Sequence, residues 1–226
     1  MGLSRAERRS WRVPRYSEFL MEPGEIEALF TRGDGSYLFA RWGRPVVPVV
    51  FGVEDATLPV IKGAFEAVVT LAGHRMEELD PELGANLMVF FVRDWEELLA
   101  VPDLDRLVPG LADLVARLGA AGANQYRIFR FDAEGAIKAA FVLLRMDAGL
   151  AEMPAETLAL AQAVQTIVLW SDRAFDGASP LVRVGERVIL RPEIGAVIRS
   201  GYDPVLPGVA RDASHALRLA ARARVG

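Results

Sequence analysis

The strongest constraint on the fold of this chain is a β-hairpin predicted between residues 125 and 146. Residues from Gln125 to Phe131 place polar side chains between apolar neighbours, which is typical of a half-buried strand. The turn-forming sequence DAEG follows at 132–135, and the mostly apolar stretch Ile137–Met146 predicts the return strand. Any fold for this chain must therefore contain an antiparallel strand pair at this position.

Three further segments have the composition of strands. The residues from Pro45 to Val53 are rich in β-branched side chains, and Pro48 within them predicts a sheet edge or a bulge. Asn86–Val92 is continuously apolar, which predicts a strand buried on both faces. Residues 181–190 predict a small hairpin around Gly185 and Glu186.

Helices are predicted between and after these strands from apolar spacing, capping residues and proline positions. The predicted helices are Glu25–Phe30, a helix capped by Asp55 or Thr57 and ended by Gly73, a short helix from Asp94 to Leu99, Leu104–Leu118 with a break near Pro109, Met153–Asp172, Pro192–Ser200, and Asp212–Arg224 with contacts from Leu217 and Leu219. We therefore predict one α+β domain over residues 25–226.

Residues 1–24 predict a basic N-terminal arm that also carries aromatic side chains. Either its aromatic residues pack it over the domain, or its arginines meet an acidic partner or an anionic surface. The residues that define it are Arg5, Arg8, Arg9, Trp11, Arg12, Arg15, Tyr16 and Phe19.

Composition limits the classes of partner. The formal net charge of −4 provides no general basic field for nucleic acid. No apolar run is long enough to span a bilayer, and no apolar region follows the basic N-terminus as in a secretory signal. We expect no nucleic-acid partner and no membrane span. The location is either cytoplasmic or, if an export signal has been removed, the cell envelope or periplasm.

Residue types also restrict the chemistry. The chain has no cysteine and only two histidines, His74 and His215, so thiolate sites and three-histidine metal sites are excluded. No nucleophile elbow and no glycine-rich phosphate loop is present. The acidic residues of 75–85 lack the spacing of a calcium loop and predict a solvated loop, and His74 predicts a surface or helix-end histidine. We expect no metal and no cofactor.

The helix predicted at Met153–Asp172 carries the most informative polar residues. Ala161, Gln162 and Gln165 lie on one strip of it, because residues three and four apart are neighbours on a helix. A mostly apolar strip with two amides indicates partial burial with hydrogen-bonded side chains. One interpretation is that Gln162, Gln165 and Asp172 only satisfy buried backbone groups; the other is that they line a cleft.

The sequence around this helix resembles an uncharacterised bacterial family described mostly as putative secreted lipoproteins. The resemblance is carried by QTIVLWSD at 165–172, the loop with Ser179, LRPEIGAVIRSGYDP at 190–204, and Pro207-Gly208. That family looks like the zinc-dependent metzincin-type peptidases in fold. Over residues 37–220, the resemblance implies a metzincin-like α+β fold with a mixed, twisted sheet of about four to five strands. The order strand, helix, strand, hairpin, helix agrees with it.

The same resemblance implies that the metal chemistry has been lost. The metzincin helix reads His-Glu-x-x-His-x-x-Gly-x-x-His, and its positions fall here on Ala161, Gln162, Gln165, Val168 and Ser171. Neither the ligands nor the general base are retained. Because Val168 replaces the glycine at which the chain turns, we expect the helix to continue about one turn further.

Three hypotheses follow for function. The first is an inactive, metallopeptidase-like domain that binds a peptide or protein partner, for example by adding a strand to a sheet edge. The second is a hydrolase with relocated acids such as Asp172, Glu193 or Asp203, and the third is an envelope scaffold whose basic ends make the contacts. The residues expected to line the relic cleft are Ala161, Gln162, Gln165, Ser171, Asp172 and Tyr202.

Overall fold

The computed structural model describes residues 20–224 of the chain. This part contains eight α-helices, one 3-10 helix and eight strands. The helices are α1 (Pro23–Phe30), α2 (Leu58–Leu71), a 3-10 helix (Trp95–Ala100), α3 (Leu104–Leu107), α4 (Leu111–Ala120), α5 (Ala148–Ala151), α6 (Ala155–Ile167), α7 (Pro192–Gly201) and α8 (Ser214–Ala223). The strands are β1 (Phe39–Ala40), β2 (Pro48–Phe51), β3 (Leu87–Val92), β4 (Gln125–Phe131), β5 (Ile137–Arg145), β6 (Leu181–Val184), β7 (Arg187–Leu190) and β8 (Val209–Ala210).

The principal sheet has four strands in the order β2-β3-β5-β4. Strands β2, β3 and β5 run parallel, and β4 is antiparallel to β5. Two smaller pairs, β1 with β8 and β6 with β7, are also antiparallel. The α+β class and the mixed four-stranded sheet are thus confirmed, and Pro48 opens an edge strand as its ring requires.

Both faces of the principal sheet are covered, which explains the continuous apolar runs of its central strands. In β3, Leu87 and Val89 belong to one apolar cluster, whereas Phe90 and Val92 belong to a second cluster on the opposite face. The first cluster includes residues of α2 and α6, which pack against each other. The second includes residues of α4 and of the 3-10 helix. The sheet therefore lies between two helical layers.

The helix predicted at Met153–Asp172 is shorter than expected, and its predicted extension beyond Val168 is wrong. The helix α6 ends at Ile167, and Val168 is extended with φ −137° and ψ 164°. The physical reason is tertiary pairing: Val168 forms a β-bridge with Arg41, and the N–H of Leu169 donates to the carbonyl of Ala40 at 2.8 Å. The β-branched side chain of Val168 also favours this conformation.

Burial corrects three other local predictions. Leu219 is buried in α8 as predicted, but Leu217 is 59% exposed because it lies on the other side of the helix. The loop at 75–85 is mostly exposed, yet Asp80 within it is only 5% exposed. His74 follows α2 as predicted but is half-buried, with Nε2 2.8 Å from the carbonyl oxygen of Arg44.

Asp80 is buried because it organises its own loop and the start of β3. Burial opposes its ionisation, but the N–H groups of Leu83 and Glu82 and the side chains of Asn86 and Arg44 donate to it, and they lower its pKa to about 2. A carboxylate with this many donors needs no solvent contact. Asp80 is therefore assigned a structural role.

Within residues 20–224, none of the helices combines the length and apolar composition needed to cross a bilayer. Most of the predicted N-terminal arm lies outside the described residues. Its last residues belong to α1, which begins at Pro23.

Two glycines, Gly52 after β2 and Gly63 in α2, provide a matched test of how closely the chain after β2 approaches β3. Gly52 has φ +80°, and a Cβ added there would lie 1.9 Å from the carbonyl oxygen of Phe91, whereas a Cβ added at Gly63 in α2 would meet no atom within 4 Å. We expect Gly52→Ala to lower the free energy of unfolding by at least about 2 kcal/mol. Gly63→Ala is expected to raise it by about 0.5–1 kcal/mol. Urea denaturation of both variants checks this, and equal effects would contradict the described end of β2.

Candidate functional site

A cleft of about 510 Å³ lies between the edge strand β4 and the C-terminal end of α6 with the loop that follows it. We name it the β4 cleft. Aromatic and charged side chains both contribute to its walls. Its lining residues are Arg32, Tyr126, Arg127, Phe129, Gln165, Leu169, Trp170, Ser171, Asp172, Phe175 and Asp176.

The strand β4 presents unpaired backbone groups along one edge. The N–H of Arg145 donates to the carbonyl of Asn124, the residue that would lie opposite it in the β4–β5 register. Because hydrogen-bonded pairs alternate in an antiparallel ladder, Tyr126 and Ile128 also bond to β5, whereas Arg127 and Phe129 direct their N–H and C=O groups outward. In the part of the chain that the structure describes, β4 pairs with no other strand.

Side-chain alternation places the same two residues under α6. Phe129 packs against the first apolar cluster, and Ile128 packs against the second, on the opposite face of the sheet. Arg127 therefore shares the face of Phe129, with its side chain on the α6 side. Residues 127 and 129 thus contribute both an open backbone edge and the floor of the β4 cleft.

Arg127 is a partly buried cation without an acidic partner among residues 20–224. Its Nη2 donates to two neutral amide oxygens, Oε1 of Gln125 at 3.0 Å and Oε1 of Gln162 at 2.5 Å. Its Nε is sealed from solvent and has no acceptor. Burial lowers the pKa of Arg127 to about 10, so the side chain remains charged at neutral pH. A buried charge compensated only by neutral dipoles is costly.

Gln162 and Gln125 hold the guanidinium in place. The Nε2 of Gln162 donates to the Oε1 of Gln125 at 3.0 Å, so that the three side chains form a closed set of hydrogen bonds. Gln162 is only 1% exposed and lies in the middle of α6. The two amides therefore orient Arg127 from behind the β4 cleft.

The opposite wall is formed by the loop after α6. Asp172 accepts a hydrogen bond from the N–H of Gly33 at 3.1 Å, which ties this loop to the turn after α1. The N–H of Ser171 donates to the carbonyl of Leu29, and its hydroxyl accepts from the N–H of Arg173. Trp170 stacks on Phe30 with ring centroids 5.2 Å apart. This wall is thus fixed to α1 by backbone bonds and ring packing.

The structure brings together three of the six residues predicted for the relic cleft. Gln165, Ser171 and Asp172 line the β4 cleft, while Gln162 lies directly behind it on Arg127. Ala161 instead packs against the first apolar cluster.

Tyr202 does not line the β4 cleft. Its hydroxyl donates to the carbonyl of Ile167 at 2.7 Å and accepts from the N–H of Trp42, and the guanidinium carbon of Arg41 lies 5.4 Å from the centroid of its ring. Arg41 in turn donates to three backbone carbonyls, those of Gly201, Asp203 and Leu206. Tyr202 therefore supports the end of α6 rather than a site.

The acids proposed for relocated catalysis lie apart. Of Asp172, Glu193 and Asp203, only Asp172 lines the β4 cleft; Glu193 pairs with Arg191, and Asp203 pairs with Arg222. Within the described residues, no three histidine or carboxylate side chains are grouped as a metal ion would require.

Arg127 is the site residue that the sequence did not single out. In the sequence, Arg127 is one of two arginines in the predicted strand 125–131. The other, Arg130, lies on the opposite face of the sheet and donates to the carbonyl of Leu107. Strand alternation distinguishes the two only once the buried face is known. Trp170 lies in the segment predicted as the end of a helix, and Phe175 lies just beyond that segment, so neither was identified as a site residue.

No family model, curated protein or solved structure matches this chain.

Arg127 and Arg41 provide a matched pair for testing whether Arg127 stabilises the fold. Arg41→Met removes a charged donor from three backbone carbonyls, of which that of Asp203 keeps the N–H of Leu206, and we expect it to lower the free energy of unfolding by about 2–4 kcal/mol. Arg127→Met removes a charge that has no counter-ion but also removes the donor to Oε1 of the buried Gln162, and because these effects oppose each other we expect a net change within about 1 kcal/mol. Chemical denaturation measures both values. A loss for Arg127→Met as large as that for Arg41→Met would assign Arg127 a structural role.

Proposed function

We propose that this protein is a non-catalytic binding module that takes up an extended peptide segment of a partner as an additional strand beside β4. The single observation that carries the proposal is the open edge of β4 at Arg127 and Phe129, which lies along the β4 cleft. Backbone pairing at the edge provides affinity in this mode of recognition, and pockets for alternate side chains provide specificity.

The edge and the cleft are suited to the same ligand. A strand added beside β4 directs every second side chain toward the α6 side of the sheet. On that side the lining includes the rings of Phe129, Trp170 and Phe175, which offer apolar contact area. An unpaired sheet edge can pair with the strands of other chains and cause aggregation. A peptide that binds there gives a reason why this edge has stayed open.

The chemistry of the lining favours binding over catalysis. Among the described lining residues, the one aliphatic hydroxyl is that of Ser171, and no histidine lies beside it to act as a base. Asp172 is bonded to a backbone N–H of another segment, which suits a positioning role. The proposal therefore assigns no catalytic residue.

We also propose that α6 is the counterpart of a metzincin metal helix whose metal site has been replaced. The order β2, α2, β3, hairpin and α6 agrees with the order on which the resemblance rests. Gln162, which falls at the position of the general base, bonds to Arg127. A cation at this place opposes the binding of a metal cation.

Metal analysis tests this part of the proposal. We expect the purified protein to bind less than stoichiometric zinc after dialysis against zinc at neutral pH, and a chelator to leave its unfolding curve unchanged, because no ligand set is present among the described residues. Stoichiometric zinc, or peptide hydrolysis that a chelator abolishes, would contradict it.

Residue-resolved hydrogen exchange tests the binding mode. Peptides enriched from a displayed library of random decapeptides are added, and amide exchange is followed by NMR. The amides of Arg127 and Phe129 are expected to exchange rapidly in the free protein and to gain at least about ten-fold protection in the complex. Those of Tyr126 and Ile128 serve as internal controls, because they already bond to β5.

Two outcomes would contradict the proposal. One is that the library yields no binding peptide. The other is that enriched peptides bind but leave the exchange of Arg127 and Phe129 unchanged, which would place the contact elsewhere on the surface.

A further inference from the structure

We infer that the bound segment presents a carboxylate, from an Asp or Glu side chain or from its C-terminus, that pairs with the guanidinium of Arg127. This inference rests on the proposed binding of a segment beside β4 and specifies the chemistry of that segment. It follows from the hydrogen bonds of Arg127, from the register of β4 and from the charges around the β4 cleft.

The first observation is the incomplete set of partners around Arg127. Of its three guanidinium nitrogens, Nη2 alone has acceptors, the oxygens of Gln125 and Gln162. Nε is buried and has no hydrogen-bond partner. Nη1 also has no acceptor within the described residues, but it is not fully buried. Nη1 is thus the donor through which a ligand reaches the guanidinium. Charge-assisted bonds to a carboxylate are the strongest available to it.

The second observation is the position of Arg127 in the strand. Its N–H and C=O face the open edge, so a segment added there places one of its residues directly opposite Arg127. Side chains of directly opposed residues have Cβ atoms about 5 Å apart on the same face of a sheet. An acidic side chain at this ligand position therefore meets the guanidinium while the two backbones pair. The next ligand side chain on that face lies beside Phe129, where an apolar residue fits.

The third observation is the distribution of charge around the cleft. Two cations, Arg32 and Arg127, and two carboxylates, Asp172 and Asp176, line it. Asp176 is near the guanidinium of Arg173 at 3.9 Å, and Asp172 is held by Gly33 on the wall formed by the loop after α6. Within the described chain, neither carboxylate forms an ion pair with Arg127, whose pKa is shifted by burial alone. The floor at β4 thus carries one cation and no carboxylate, whereas the far wall carries both carboxylates together with Arg32, which precedes the Gly33 bonded to Asp172.

Three other places in the described chain have structural explanations. His215 bonds through Nδ1 to the hydroxyl of Tyr37 at 3.0 Å, and all the donors of Asp80 come from its own loop, Asn86 and Arg44. Nε2 of His215 and Nε of Arg145 are also buried without a partner, but neither residue lines the β4 cleft. The cavity lined by Glu27, Thr31, Arg32 and Arg173 contains exposed side chains and no sealed unpaired atom among those residues. Among the described residues, Arg127 alone combines a cleft, an open edge and an unsatisfied buried donor.

The test is a double-substitution experiment with an enriched peptide that contains an acidic residue. The change of that residue from Glu to Gln is expected to raise the dissociation constant at least about ten-fold with the wild-type protein and by less than about two-fold with Arg127→Gln. A peptide amidated at its C-terminus distinguishes a terminal carboxylate from a side-chain carboxylate. Binding is measured by fluorescence anisotropy.

Two further variants separate the role of charge from that of structure. Gln162→Glu places a carboxylate of the protein next to Arg127. We expect it to weaken the binding of the acidic peptide about ten-fold and to leave the binding of the Gln-substituted peptide unchanged. Arg130→Gln is the matched control, because Arg130 lies on the same strand but on the opposite face, and we expect no change.

The outcomes distinguish this inference from the proposed function. Suppose the acidic and the Gln-substituted peptides bind equally well, and both still protect the amides of the β4 edge from hydrogen exchange. This result would overturn the carboxylate inference but not the proposed binding mode. If no peptide binds, the proposed function fails. The carboxylate site is then tested alone by glutarate, which is expected to raise the unfolding temperature of the wild-type protein but not of Arg127→Gln; an equal effect on both would overturn it.

Discussion

The strand β5 is the constraint on which the rest of the structure depends. It is paired with β3 on one side and with β4 on the other, and its side chains are buried in the apolar clusters of both faces. A strand enclosed in this way fixes the register of its neighbours, because a shift by one residue exchanges the two faces. The alternation in β4 follows from it, with Arg127 and Phe129 toward α6 and Ile128 away from it. The position of the candidate site is thus a consequence of how β5 is buried.

The candidate site differs from the surrounding core in one physical respect. The buried Asp80 has four donors, and the partly buried Arg41 has three carbonyl acceptors. Arg127 has two neutral oxygens and an Nε without an acceptor. Natural proteins break such packing rules mainly at functional sites. Under the proposed binding mode, a ligand carboxylate at Nη1 offsets the charge of the guanidinium, while Nε stays buried without a partner. Arg145 Nε and His215 Nε2 are also buried without a partner, so what distinguishes Arg127 is that it combines such an atom with a position in the β4 cleft and at an open strand edge.

The sequence predicted those parts of the fold that depend on local patterns. The apolar run of β3, the hairpin of β4 and β5, and the proline at the edge of β2 all lie where composition and spacing place them. Val168 was mispredicted because its conformation is set by pairing with Arg41, more than 120 residues away along the chain. Asp80 and Leu217 were mispredicted because acidity and apolarity alone do not determine which side of a loop or helix is buried.

The candidate site was predictable only in part for the same reason. Gln162 and Gln165 were identified from their spacing on one helix, and Asp172 from the resemblance, but the group that links them is on another strand. The pairing of Arg127 with Gln162 spans 35 residues and depends on the tertiary position of α6 over β4. Tyr202, placed in the cleft by resemblance, instead supports the carbonyl of Ile167.

The most direct test is a crystal structure of the protein with an enriched acidic peptide. We expect the peptide backbone to bond to the N–H and C=O groups of Arg127 and Phe129, and one peptide carboxylate to lie within about 3 Å of a guanidinium nitrogen of Arg127. A peptide bound away from β4, or a β4-bound peptide whose carboxylates point to solvent while Arg127 keeps only its two glutamine partners, would contradict the central claim.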